Sequence, residues 1–124
     1  MLGSMDAVVT LGVTDIERAK RFYEGKLGLT QLPSPEPAVL LLKSGNSKLI
    51  VYASEYAGTN KATAATWAVR DVDGTVKELK RKGITFEHYD FPGVTMQGDV
   101  HIMGKSKAAW FKDPDGNILA IVSE

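Results

Sequence analysis

The side chains best suited to chemistry in this sequence lie close together in its second half. The candidates are His88, Tyr89, Asp99 and His101, and such titratable groups serve proteins as general acids and bases. The sequence contains no cysteine, which excludes disulfides, thiolate metal ligands and a thiol nucleophile. It also contains no Ser-His-Asp order, phosphate-binding glycine loop or dinucleotide-binding fingerprint. Any chemistry must therefore come from imidazole, phenol and carboxylate groups.

These candidates belong to a segment, residues 87–105, that has no counterpart in the first half of the chain. The segment also carries Phe91, Met96 and Met103 among glycines and a proline. A long loop inside a compact domain is usually functional, and these aromatic and methionine side chains suit a lid over an apolar ligand. The alternative is that they close the open end of a sheet without any ligand.

The secondary-structure elements that must position these residues belong to a pattern that occurs twice in the sequence. Val13-Thr14-Asp15-Ile16 in the first half matches Val69-Arg70-Asp71-Val72 in the second, about 56 residues later. Each motif ends a strand pattern and begins a helix pattern that stops at a glycine. Thr14 has capping-box spacing to Glu17 and is expected to cap the first helix, whereas Asp71 is expected to cap the second. The repeat predicts two similar modules with a site where they meet.

A β-hairpin pattern ends each copy as well. Ser44-Gly45-Asn46-Ser47 separates two strand patterns in the first half, and Asp113-Pro114-Asp115-Gly116 does so in the second. A three-residue loop with a glycine bulge in the second hairpin places Trp110 opposite Ala120. Aligning the two hairpins at a single offset places Ala120 on Val51. The patterns together predict two copies of a βαβββ arrangement.

Length and charge narrow the class of protein. The chain has 124 residues, which suits one domain, with residues 1–4 resembling an expression remnant and 5–124 forming the domain. The modules are expected at about 6–56 and 62–124. Fifteen basic and fifteen acidic side chains cancel, so no charge favours nucleic acid or an anionic membrane. No apolar run approaches the roughly 20 residues of a membrane span and no signal-peptide layout is present, so a cytoplasmic protein is expected.

The repeated motifs, with the helix start at 13–19 and the turn at 110–117, resemble the vicinal oxygen chelate superfamily. This superfamily joins glyoxalases, extradiol dioxygenases, fosfomycin-inactivating enzymes and bleomycin-binding resistance proteins. The resemblance covers nearly the whole chain. It implies an α+β fold in which two βαβββ modules form an open, curled mixed sheet, with a cleft inside and helices outside. It also implies a homodimer, but it does not fix the chemistry because the scaffold is shared among unrelated reactions.

The enzymes of this superfamily hold a divalent metal through up to four histidine or glutamate side chains. The resemblance maps those positions onto Val8, Val51, Ala64 and Ala120. None of these side chains offers a donor atom to a metal. No metal and no cofactor are therefore expected at the usual place. A displaced site that uses a histidine of the 87–105 segment with Asp90 or Asp99 is the alternative.

Strand alternation extends these four positions into a predicted cleft lining. Thr10 and Thr66 are expected to face the cleft with Val51 and Ala120, while Trp67 faces the helices. The predicted ligand-binding residues are Thr10, Val51, Thr66, Tyr89, Phe91, Met96, His101, Trp110 and Ala120. The lining is small and apolar, with hydroxyl groups for orientation but no acid–base pair.

Three functions follow from these observations. The first is a metal-free protein that binds a small hydrophobic or aromatic molecule in the inter-module cleft without catalysis. The second is a divergent lyase, isomerase or dioxygenase with a relocated metal, or a metal-independent enzyme in which His101 is the catalytic candidate. The third is a structural or regulatory domain with a filled interior. The apolar ligand positions favour the first function.

Overall fold

A computed structural model describes residues 1–34 and 36–124, which form two compact units, Met1–Thr59 and Asn60–Glu124. Each unit contains a strand, a helix and further strands joined into one sheet, so the predicted α+β fold is confirmed. Within the described residues, no helix has the length and apolar character needed to span a bilayer.

The first unit is a four-stranded sheet in the order β1-β4-β3-β2, in which β1 and β4 run parallel. A short 3₁₀ turn, Leu2–Ser4, precedes it. The elements are β1 (Val9–Val13), α1 (Ile16–Lys20), a π-helical segment (Arg21–Lys26), β2 (Thr30–Leu32), β3 (Val39–Ser44) and β4 (Ser47–Ala53). The buried face of the sheet includes Leu11, Val13 and Leu42.

The second unit is a six-stranded sheet in the order β5-β10-β9-β8-β7, with β6 paired to β9. Its elements are β5 (Thr63–Val69), α2 (Val72–Arg81), β6 (Phe86–Glu87), β7 (Thr95–Gln97), β8 (Val100–Met103), β9 (Ser106–Lys112) and β10 (Ile118–Ser123). Strands β5 and β10 run parallel, and α2 packs on β8, β9 and β10. Phe111, Leu119 and Ile121 are buried in this unit.

Helix capping agrees with the sequence in one unit and differs in the other. Asp71 caps α2 by accepting a 2.9 Å hydrogen bond from the Gly74 N–H group, as predicted. The prediction for Thr14 is wrong, because α1 is capped by Asp15, which accepts from the Arg18 N–H group at 3.2 Å. The Thr14 hydroxyl instead accepts from the Arg18 guanidinium at 2.9 Å. Aspartate therefore caps both helices, at equivalent positions of the repeat.

The two hairpins differ in length by one residue, which overturns part of the predicted lining. Lys43 pairs with Lys48 in the first hairpin, whereas Lys112 pairs with Ile118 in the second, so the second connection is one residue longer. One offset therefore cannot align both strands of the two hairpins, and it misaligns the strand that follows the turn. A one-residue shift moves a whole set of side chains to the other face of a sheet.

Because of this shift, Val51 does not share a face with Thr10. Thr10 pairs in parallel with Ile50, just as Thr66 pairs with Ala120, so Ile50 is the counterpart of Ala120. Val51 pairs with Leu11 and is completely buried. The prediction that Val51 faces the same side as Thr10 is wrong.

The segment at 87–105 is not one long loop. Strands β7 and β8 form a hairpin inside it, and β8 extends the sheet by pairing with β9. Its longest stretch without a strand lies between β6 and β7, at residues 88–94. His101 therefore lies on a sheet strand and is fully buried, not in a covering loop at the surface.

Candidate functional site

Four rings of the second unit form a compact group, which we call the aromatic cluster: Tyr89, Phe91, His101 and Trp110. Each ring lies within 4.8 to 6.2 Å, centroid to centroid, of every other. The closest pair is His101 and Trp110, at 4.8 Å and an interplanar angle of 89°. Edge-to-face contacts of this kind are favoured between aromatic rings. The cluster brings together four of the sequence-predicted ligand-binding residues.

Strands β8 and β9 position half of the aromatic cluster. His101 pairs with Ala108, which is two residues from Trp110 on β9, so both rings project from the same face of the sheet. The Trp110 indole N–H donates a 3.1 Å hydrogen bond to the Thr63 hydroxyl on β5. The segment after β6 brings Tyr89 and Phe91 onto this face.

The predicted register around Trp110 is confirmed. Trp110 pairs with Ala120, and Ala120 pairs on its other side with Thr66, so the three side chains share one face. Phe111 lies on the opposite face, is 1% exposed and pairs with Leu119. This result depends on the three-residue turn, in which Gly116 has a φ of 92°.

The remaining predicted residues fall into two groups. Met96 pairs with His101 across β7 and β8, so it extends the face that carries the aromatic cluster. Thr10 and Val51 belong to the first unit, where Thr10 is exposed and Val51 is buried on the other face of its sheet.

His101 fixes the position of Tyr89 through a hydrogen bond. The backbone N–H of Tyr89 donates to Nε2 of His101 at 2.9 Å. Because a backbone N–H can only donate, Nε2 acts as the acceptor and the neutral imidazole carries its proton on Nδ1. The lone pair of the ring is thus already used. This geometry suits a hydrogen-bond donor better than the general base considered from the sequence.

Two buried polar atoms of the aromatic cluster have no partner among the described residues: Nδ1 of His101 and the hydroxyl oxygen of Tyr89. Burial raises the pKa of the Tyr89 phenol above 10.0, and the nearby Glu87 carboxylate raises it further, while Lys112 opposes the shift. Tyr89 is therefore a neutral phenol that can donate a hydrogen bond. Buried polar groups in proteins normally have partners.

A charged group borders the aromatic cluster. Nε2 of His88 lies 2.7 Å from Asp99 Oδ1, and the Lys80 ammonium donates to Asp99 Oδ2 at 2.6 Å. The hydrogen bond with His88, followed by that from Lys80, lowers the pKa of Asp99 below 3.8. Asp99 is therefore an anion at neutral pH that orients the His88 ring.

Two depressions open beside the aromatic cluster, with volumes of about 250 and 210 Å³. Tyr89 and Phe91 line both. The larger one is completed by Lys61, Ala62, Thr63, Trp110 and Ile118. The smaller one is completed by His88, Asp90, Val94 and Met96. Pockets for drug-sized ligands are about 300–1,000 Å³, so each depression suits one or two fused rings.

Sequence reasoning missed Thr63, which enters the larger depression from the start of β5. Thr63 and Ile118 meet at a register shift between β5 and β10. A bulge of this kind re-aims side chains at the end of a strand and leaves no periodic signal in the sequence. The threonine at the start of a strand pattern was the one available hint.

The residues at the family's metal positions do not fit a metal. With the register corrected, these positions are Val8, Ile50, Ala64 and Ala120, which are all aliphatic. Hard and borderline cations require oxygen or nitrogen donors. Among the residues that the structure describes, no group of three histidine, aspartate or glutamate side chains is placed to hold a metal ion.

The fold and the repeated motifs identify the family. The family model for the Glyoxalase/Bleomycin resistance protein/Dioxygenase superfamily matches residues 6–121, and the chain belongs to this superfamily. A search of the curated proteins gave no significant match.

Solved structures of similar fold span different functions. A glyoxalase family protein from Enterococcus faecalis is 21% identical, with a TM-score of 0.74 over 99% of this chain and 100% of that one. The fosfomycin resistance protein FosX from Listeria monocytogenes is 14% identical, with a TM-score of 0.72 over 98% and 91%. TnmS3, an antibiotic binding protein from a Streptomyces species, is 20% identical, with a TM-score of 0.64 over 97% of both chains. At these identities the likeness shows the fold alone.

Proposed function

We propose that this protein binds a small, largely apolar aromatic molecule at the aromatic cluster, without a metal and without transforming it. The observation that carries the proposal is the mutual contact of Tyr89, Phe91, His101 and Trp110 beside two open depressions. Aromatic side chains around a small concave surface are the usual lining of a site for a planar ligand.

Three further observations support binding over catalysis. The positions that hold a metal in enzymes of the family are aliphatic here, so that route to Lewis-acid chemistry lacks its ligands. The lone pair on Nε2 of His101 accepts the hydrogen bond from the Tyr89 N–H group, so it is not available to act as a general base. The fold is also used by an antibiotic binding protein, TnmS3, so a binding role has a precedent on this scaffold.

The two tryptophans of the chain provide a direct test. Trp110 lies in the aromatic cluster, whereas Trp67 pairs with Ile121 and projects from the opposite face of the same sheet. The ¹⁵N-labelled protein should give two indole N–H signals, which Trp67→Phe assigns. A panel of neutral one- and two-ring aromatic compounds should include members that shift the Trp110 signal saturably and leave the Trp67 signal in place.

A matched pair of variants controls for non-specific adsorption. Phe91 is 42% exposed and lines both depressions, so Phe91→Ala should weaken binding about 3- to 10-fold, as expected for one lost aromatic contact. Tyr56 is 72% exposed in the other unit, and Tyr56→Ala should leave the affinity unchanged. No saturable shift with any compound, or equal losses in both variants, would overturn the proposal.

One observation favours a second candidate, a metal-independent enzyme. His88 is held by Asp99 at 2.7 Å and lines the smaller depression, an arrangement in which an imidazole can act as a general base. Exchange of the methyl protons of acetophenone in D₂O, followed by NMR, tests proton abstraction next to a carbonyl. Acceleration by the protein that is lost in His88→Gln would favour the enzyme. No acceleration would favour the binding protein.

A further inference from the structure

We infer that the ligand is an aromatic carboxylate whose ring lies in the larger depression and whose carboxylate accepts hydrogen bonds from the Lys61 ammonium and the Thr63 hydroxyl. The inference rests on the proposed function, because it names the chemical class of the ligand that the same site takes. It selects an aromatic acid of one or two rings over the corresponding neutral amide or hydrocarbon.

The first step is the charge of the larger depression, which differs from that of the smaller one. Of the described residues that line the larger depression, only Lys61 carries a charge at neutral pH, whereas Asp90 brings a carboxylate to the smaller one. Lys61 is exposed and forms no ion pair within the described part of the chain. Its ammonium is therefore available to attract an anion into the larger depression.

The second step is the balance of charge around the larger depression. Lys112 pairs with Ile118 across β9 and β10, so both side chains lie on the face that carries this depression. The nearby Glu87 carboxylate is 3.4 Å from the Lys112 ammonium, and these two charges largely offset each other. Burial and Glu87 raise the pKa of the Tyr89 phenol above 10.0, so that ring is neutral. The surplus charge at this place is the positive charge of Lys61.

The third step is a second hydrogen-bond donor in the same depression. Thr63 lines it, and the Thr63 hydroxyl oxygen accepts a 3.1 Å hydrogen bond from the indole N–H of Trp110. This bond uses a lone pair of the hydroxyl oxygen and leaves its proton free to donate to a ligand. The Lys61 ammonium can also only donate. Two donors that line one depression match the two oxygens of a carboxylate, whereas an amide offers a single acceptor oxygen.

The fourth step is the position of the ring and the number of charges. The rings of Tyr89, Phe91 and Trp110 line the same depression of about 250 Å³, which places apolar surface next to the two donors. The Asn60 side chain accepts a 3.0 Å hydrogen bond from the Ala62 N–H group, which orders the turn that carries the ammonium. One free ammonium neutralises one carboxylate, whereas the dianion of an aromatic phosphate would keep an uncompensated charge.

The test compares 2-naphthoate with 2-naphthamide, which keeps the two rings and the shape of the substituent but carries no charge. Dissociation constants are measured from the Trp110 indole signal, because this N–H group donates to Thr63 in the larger depression. The proteins are wild type, Lys61→Gln, Lys61→Arg and Lys105→Gln. Lys105 is an exposed lysine between β8 and β9 that lines neither depression, so its variant controls for the loss of one positive charge.

The readout is the ratio of the two affinities, naphthoate over naphthamide. We expect this ratio to fall about 3- to 10-fold in Lys61→Gln, the effect of one charge-assisted hydrogen bond at a site open to water, and to stay within about 2-fold of wild type in Lys61→Arg and Lys105→Gln. Thr63→Val should also lower the ratio, whereas Thr63→Ser should retain it. In wild type, raising the salt concentration from about 0.05 M to about 1 M should lower the ratio, because salt screens the ion pair. The salt series needs no variant.

The outcomes separate the inference from the function on which it rests. If wild type binds the amide at least as tightly as the acid, or if the ratio responds neither to Lys61→Gln nor to salt, the inference is overturned while the proposed function stands. An equal fall in Lys105→Gln would overturn it as well, because the effect would then come from the overall charge of the protein. If neither these compounds nor the wider aromatic panel bind, the proposed function fails and the inference fails with it.

Discussion

Substitutions at two adjacent residues of β4, Val51 and Ile50, test the register of the first sheet. Val51 is completely buried and pairs with Leu11, whereas Ile50 pairs with Thr10 and is half-buried. The single-offset alignment predicts the opposite facing. Replacing each residue by alanine therefore asks which side chain belongs to the core.

The expected magnitudes follow from burial. Val51→Ala removes two buried methyl groups, worth about 0.8 kcal/mol each, and leaves a cavity, so the free energy of unfolding should fall by about 2–3 kcal/mol. Ile50→Ala removes three carbons that are already half-solvated, so the loss should be about 1 kcal/mol. Both changes replace a β-branched residue by alanine in the same strand, so differences in strand propensity largely cancel.

Urea unfolding followed by far-ultraviolet circular dichroism measures both losses. Tryptophan fluorescence is unsuitable because Trp67 and Trp110 both lie in the second unit. A loss for Ile50→Ala that equals or exceeds that for Val51→Ala would refute the register and, with it, the equivalence of Ile50 and Ala120.

Three further predictions concern the second unit. The Asp99 carboxylate, whose pKa is lowered in the folded protein, stabilises the fold above about pH 4, and this contribution is lost as the pH falls through that pKa. Asp99→Asn should therefore flatten the decline in the free energy of unfolding below about pH 4. An unchanged slope would contradict this. Phe111→Ala should cost about 3–5 kcal/mol, since the ring is 1% exposed and meets Phe86 edge-to-face at 5.5 Å; a loss below 1 kcal/mol in urea would be inconsistent. Asp71→Ala should cost about 1 kcal/mol through the lost cap of α2, whereas Asp71→Asn should retain most of it.

The sequence was sufficient for most of the fold because its signals are local. The Asp71 cap, the glycine turn after Lys112 and the alternation that places Trp110 with Ala120 depend on neighbouring residues. The side of the sheet to which Val51 projects is not a local signal. It depends on the length of the first hairpin turn compared with the second, and an error of one residue moves Val51 to the other side. The homodimer expected from the resemblance stays a prediction.

The candidate site was predictable by composition but not by arrangement. The sequence singles out Tyr89, Phe91, His101 and Trp110 as ligand-binding residues, and the structure brings their rings together. Their mutual contact depends on the pairing of β8 with β9, a long-range contact that places His101 beside Trp110. A strand of four residues bounded by Gly98 and Gly104 is too short for its alternation to predict this pairing.

The unequal turns of the two hairpins have an evolutionary consequence. Gly45-Asn46 closes the first hairpin and Pro114-Asp115-Gly116 closes the second, so the two copies of the repeat differ at this turn by one inserted or deleted residue. Such an insertion or deletion exchanges the outward and inward side chains of the following strand without any point mutation inside it. Comparisons between halves of duplicated β-proteins therefore need a gap at the turn before residues are assigned to a site. An inherited pocket can acquire a new lining in one genetic step.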